Sequence, residues 1–216
     1  MKTVLPSGFV IPSDATQKLL RFADEEYDYY DGIEDRQPDL VLPEDILVTI
    51  GINSRIQSAE RIRMIHRGLV DKCQGILSSI PADLELTDDN WLESPVEELF
   101  TAACSVPWVL MAVATKVFHR KRRSLVPIRD SVLLEHDLGH ASIGRTQDKK
   151  QAAALGMKCL RVFRDDLLTA SNELDVLSLV LSSSGYTMTN LRIFEALVWI
   201  EKAKNDVYRK PPMSTA

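Results

Sequence analysis

Apolar positions recur at three- and four-residue steps through most of the chain, the spacing that lines one face of a helix. After an arm punctuated by Pro6, Gly8 and Pro12, Asp14 and Gln17 predict a capping box. It opens a helix to about Tyr30 with Gly32 as its stop, and Leu19, Leu20, Phe22, Tyr27 and Tyr30 supply its apolar contacts. The acidic cluster Asp24, Glu25, Glu26 and Asp28 reads as a solvated face. Pro43 predicts the first residue of a short helix over about 44–52, although β-branched Ile46, Val48, Thr49 and Ile50 leave a strand open. Ile62, Ile65, Leu69, Cys73 and Ile76 predict a long helix, capped by Asn53 or Ser54 and ended by Pro81.

Ser94, Pro95 and Glu97 carry the clearest start signal: an N-cap, a proline at the first helical position and a capping box. That helix runs over about 96–104. A break at Val106-Pro107-Trp108 separates it from a second apolar helix over about 109–119, and the two predict a helical hairpin with Trp108 packed into the core. Asp130-Ser131 predicts the cap of a following helix. Three more helical patterns cover about 147–168, 173–183 (stopped by Gly185) and 190–207. There is no internal repeat, and the expected fold class is all-α.

A chain of 216 residues with 45% hydrophobic content buries the core of one domain. Two helical subdomains are compatible with it, about 43–140 as one and 1–42 with 141–216 as a second layer. A net charge of −5 argues against a protein coated in nucleic acid, and allows a local basic patch on an acidic body. Cys73, Cys104 and Cys159 are far apart and lack CxxC spacing, so buried reduced thiols are expected. The start lacks the apolar run of a signal peptide and charges interrupt every apolar stretch, so a cytoplasmic protein without a membrane span is expected. No P-loop, GxGxxG or GxSxG pattern occurs, so no cofactor is implied.

Charge changes the picture in one place. Between Lys116 and Arg129 stand six lysines and arginines and no acid. Phosphates are the natural partners of such a cluster, because arginine offers a planar donor fork and each neutralised phosphate releases counterions. The plain alternative is a solvated run at a helix end, where cations complement the helix dipole. Its position directly after the hairpin favours phosphate, since a hairpin turn presents backbone N–H groups. DNA is therefore the expected partner, contacted by Lys116, His119, Arg120, Lys121, Arg122, Arg123 and Arg129.

The string Val-Pro-Trp-Val-Leu-Met-Ala-Val-Ala-Thr-Lys-Val-Phe-His-Arg-Lys-Arg-Arg-Ser-Leu-Val-Pro-Ile-Arg-Asp-Ser resembles an uncharacterised actinobacterial family of unknown function. The Tyr-Asp-Tyr-Tyr-Asp and Leu-Arg-Ile-Phe-Glu-Ala-Leu-Val-Trp segments are similar to it as well, so the resemblance spans most of the chain. More remotely, the layout resembles the helix-hairpin-helix DNA glycosylases, in which a "leu/val-pro-gly-val-gly" hairpin precedes an apolar helix, an extended segment and "val-asp-thr". That resemblance implies a helix-hairpin-helix glycosylase-like orthogonal helical bundle. It also implies Asp130 as the catalytic aspartate, and Arg55 near the residue that probes the DNA stack. The chain departs from the pattern in three ways. Trp108 and Leu110 replace the hairpin glycines, Ala112 falls at the lyase lysine, and no four-cysteine iron–sulfur signature is present.

Asp130 carries two readings, a catalytic carboxylate and an ordinary N-cap. His136 and His140 share a helix face, but two histidines without a third ligand leave the expected metal content at none. The leading expectation is a DNA-binding protein and, if an enzyme, a monofunctional base-excising one. The alternatives are a non-catalytic helical binding protein and a binder of a phosphorylated small molecule.

Overall fold

A computed structural model describes residues 4–52, 54, 56, 58–91, 93–130, 133 and 149–202. Among these the chain is all-helical: α1 (Ala15–Glu26), a 3-10 turn (Tyr27–Tyr29), α2 (Pro43–Gly51), α3 (Ala59–Ser78), α4 (Glu93–Cys104), α5 (Met111–Lys121), α6 (Lys149–Ser183) and α7 (Asn190–Lys202). The N-terminal arm closes on itself through a bridge between Val4 and Val10. No described helix is long and apolar enough to cross a membrane.

Local chemistry explains most boundaries. Pro43 opens α2, and the Asp45 carboxylate reaches back to the Leu42 N–H at 2.7 Å, so the helix prevails over the strand that its β-branched residues allow. α3 starts later than expected. Its cap is Ser58, whose Oγ accepts from the Arg61 N–H at 3.2 Å, while Ser54 is buried before it. Asp14 precedes α1 without a side-chain cap bond and pairs instead with Lys18 at 2.9 Å. α4 begins at Glu93, which places Pro95 inside the first turn, where a missing N–H costs nothing.

The two helices expected over 147–183 are one. Thr169-Ala170-Ser171-Asn172 contains no glycine or proline, Ala170 is buried, and the Thr169 hydroxyl donates back to Asp165 O at 2.8 Å. Nothing there stops a helix, and α6 runs 35 residues. It ends as expected at Gly185, whose φ of 92° is the left-handed conformation that glycine takes without strain.

α4 packs against α3 and α6, α6 against α7, and α7 against α1. Phe194 joins these layers, with ring centroids 4.7 Å from Phe163 and 5.7 Å from Phe9. The three cysteines are free and buried, as expected. Every residue of α7 from Leu191 to Val198 is buried, as in a helix enclosed on all sides. Arg192 and Glu195 sit inside that apolar helix, and charged residues reach such positions only with a reason.

Candidate ligand cavity beside Asp130

The basic segment turns inward. Arg122 is 0% exposed and donates to the carbonyls of Leu77 (2.6 Å), Ile80 (2.8 Å), Pro38 (2.7 Å) and Lys121 (2.8 Å) and to Asp39 Oδ1 (2.8 Å). Two of those carbonyls lie at the C-terminal end of α3, where a cation complements the helix dipole. Lys121 Nζ pairs with Asp35 at 2.9 Å and Asp45 at 2.8 Å. Arg120 meets Asp45 at 3.2 Å, and Arg123 donates to Asp31 O and Ile33 O. Arg129 lies 4.0 Å above the Phe163 ring.

Both readings of the basic run, DNA contact and a solvated helix end, presume an exposed segment, and this one is turned inward. Lys116, His119, Arg120, Lys121, Arg122 and Arg129 are buried and Arg123 is half-buried. The reason is complementarity within the chain. The loop 31–39 and the first turn of α2 bring Asp35, Asp39 and Asp45 to the end of α5, and pairing offsets the cost of removing these charges from water. Arg55, Ser131, His136 and His140 lie outside the described residues. Among the described residues no group of three or more histidines, cysteines or carboxylates is placed to hold a metal.

Trp108 is also corrected. It is 59% exposed and its φ is 68°, so the hairpin turn keeps at a tryptophan the left-handed conformation that a glycine would take. The Arg61 guanidinium lies 4.5 Å over the indole. α3 approaches this turn closely, since a Cβ at Gly68 would meet Val106 Cγ1 at 2.5 Å.

Two expected residues do converge. Lys116 and Asp130 line a cavity of about 250 Å³ whose walls include Phe22 and Trp199, with Arg192 and Glu195 from α7. At a liquid-water share of roughly 30 Å³ per molecule, this space suits one small heterocycle. Asp130 Oδ1 accepts from the Leu133 N–H at 3.1 Å, the bond of an N-cap. Lys116 Nζ donates to Ile52 O at 2.5 Å. Arg192 is held by Asp31 through Nε at 2.9 and 3.0 Å and Nη2 at 3.0 Å, and its guanidinium faces the rings of Phe22 and Tyr30.

Burial sets the protonation of these groups. It lowers the Lys116 ammonium to about 8, with Asp130 acting in the opposite sense. Glu195 is pushed up to about 8 by burial, against the pull of Arg192 and Arg129. His119, lowered to about 3 by burial and then by Arg192, is a neutral ring whose Nδ1–H donates to Val126 O at 2.8 Å. It supports the fold rather than the cavity. Arg192 and Glu195 were not among the expected site residues. Their signal was two charges three positions apart in an otherwise apolar helix, visible as such but easily taken for a solvated pair.

A family model described as a family of unknown function (DUF6308) matches residues 14–202. The chain belongs to this family. The match bears out the resemblance to a family of unknown function over most of the chain, and says nothing of actinobacteria or of glycosylases. No curated protein and no solved structure matches the chain.

Proposed function

We propose that this protein recognises a nucleobase-sized heterocycle in the cavity beside Asp130 and acts on its N-glycosidic bond in DNA. The observation that carries the reading is the convergence of Asp130 and Lys116 on one small aromatic-walled cavity, from segments separated in sequence. A flipped base needs aromatic or apolar surface to stack on and polar groups for its edge, and this cavity combines Phe22 and Trp199 with charged side chains. The Asp130 carboxylate stabilises the cationic sugar that forms as the base departs, or activates the water that attacks it. The left-handed turn at Trp108 adds support for a helix-hairpin-helix arrangement. DNA contact then falls to the exposed Trp108, Leu110 and Arg63 rather than to the buried run. A phosphorylated small molecule is less well served. The donors of Arg120, Lys121 and Arg122 end on the protein itself, and Arg192 is held by Asp31.

The test is fluorescence-anisotropy binding to duplex DNA with and without an abasic-site analogue at two salt concentrations, followed by base-release assays. Salt-sensitive binding, with turnover lost by at least about a hundredfold in Asp130→Asn while affinity stays, is the expected result. The Asp130–Leu133 cap bond favours a second reading, a non-catalytic binder, for which binding occurs without base release in any substrate tested. No binding to any duplex at low salt sinks both.

A further inference from the structure

Trp108 stands in the turn between α4 and α5 with a φ of 68°, a backbone conformation in which a bulky residue is an outlier, and it is 59% exposed. Neither packing nor the turn itself accounts for a tryptophan there, because glycine would hold the same conformation without strain. Strained positions of this kind cluster at ligand clamps and binding sites.

The surroundings indicate what the indole meets. The Arg61 guanidinium lies 4.5 Å from the ring centroid, so it covers one face of the indole and holds its orientation. The exposure of the residue leaves the other face to solvent. Arg63 and Arg67 follow on the exposed side of α3, and Leu110 and Met64 are exposed as well. Among the described residues no ion pair engages Arg61, Arg63 or Arg67, unlike Lys121 and Arg122. From Ala59 to Lys72 four cations (Arg61, Arg63, Arg67 and Lys72) stand against two acids (Glu60 and Asp71), so this face favours an anionic partner. We propose that Trp108 is a stacking platform for an unpaired base of a nucleic acid strand, with Arg63 and Arg67 meeting the strand's phosphates. Every base has a π-face, and an aromatic ring beside a cationic track is the means by which single strands are held. Three exposed apolar side chains with acids among the cations make a poor anchor for a lipid surface, whereas one ring suffices for one base. The proposal rests on the reading that the chain contacts DNA, is independent of the cavity, and adds that the contact selects unstacked bases.

A short single-stranded DNA and an abasic strand of equal length carry the same charge, and only the first offers bases. Fluorescence anisotropy with the full chain is expected to show the base-bearing strand bound about tenfold more tightly than the abasic one. Trp108→Gly, which the turn accommodates, brings the two strands to the same affinity, with thermal unfolding confirming that the variant is folded. Trp108→Phe keeps part of the preference but loses the quenching of indole emission that stacking produces in the wild type. Arg63→Ala combined with Arg67→Ala weakens both strands alike and lowers the salt dependence. Equal binding of the two strands by the wild type, or a preference that survives in Trp108→Gly, overturns the proposal and leaves base release through Asp130 standing. Binding to vesicles of phosphatidylserine and phosphatidylcholine without binding to either strand also overturns it and assigns the turn to a membrane. A Trp108-dependent preference without base release from any substrate upholds it and removes the catalytic reading instead.

Discussion

The end of α5 and the wall of α7 both bury charge, and they do so differently. At the end of α5, Lys121 and Arg122 meet three carboxylates and a set of backbone carbonyls. In α7, Arg192 is clamped by Asp31. Each region leaves one buried carboxylate oxygen without a partner, Asp35 Oδ2 at the end of α5 and Glu195 Oε1 in α7, and of the two residues Glu195 is the one that lines a cavity. Charge density marked the first region in the sequence, and the structure uses it as a fastener for the loop 31–39. The second region shows no density of charge at all. Functional candidates are marked less by how many charges gather than by whether a buried charge also borders a cavity.

Removing the fastener tests the contrast most strongly. Arg122→Ala leaves the Leu77 and Ile80 carbonyls and Asp39 without their donor and is expected to cost about 3–5 kcal/mol. That lowers the melting temperature by about 6–20 °C by calorimetry. Asp130→Asn is the control, since asparagine caps a helix as well as aspartate and should leave the unfolding temperature nearly unchanged. An Arg122→Ala protein of unaltered stability that loses DNA affinity would break the comparison and return the basic run to the surface.

A smaller effect separates the two regions by pH. Glu195 holds its proton to about pH 8 in the folded chain, against an ordinary value of 4.5. Between those values the native state carries a proton that the unfolded state has released, so this group's contribution to stability falls as pH rises through that window. Glu195→Gln should flatten that fall in denaturant titrations run from pH 5 to 8.5. A slope unchanged in the variant would show that Glu195 ionises normally.

The smallest expected effect is at the hairpin. Trp108→Gly relieves a left-handed tryptophan, a strain of about 1–3 kcal/mol, and loses the Arg61 contact, worth about 0.5–1 kcal/mol. A net gain of roughly 1 kcal/mol is expected in chemical unfolding. A net loss would mean that the indole contributes more through packing than its exposure suggests.

Several elements were legible before folding because their causes are local. Pro43 with Asp45 specified the start of α2, and Gly185 specified the end of α6. The missing break at 169–172 misled because a polar stretch was read as a stop where no residue forbids a helix. Ser58 prevailed over Ser54 as a cap because only its side chain faces the orphan amides of α3. Asp130 and Lys116 were both named from the chain as candidates, but not as neighbours.

By itself the sequence determined the helical class, the start of α2, the end of α6 and the cap at Asp130, all of which depend on residues within a few positions of each other. Only the tertiary structure decided which charges face inward. Arg122 meets Asp39 from 83 positions away, and Arg192 meets Asp31 from 161. Electrostatic pairing depends on distance in space, and a chain read one residue after another holds no record of that distance until its apolar faces have packed.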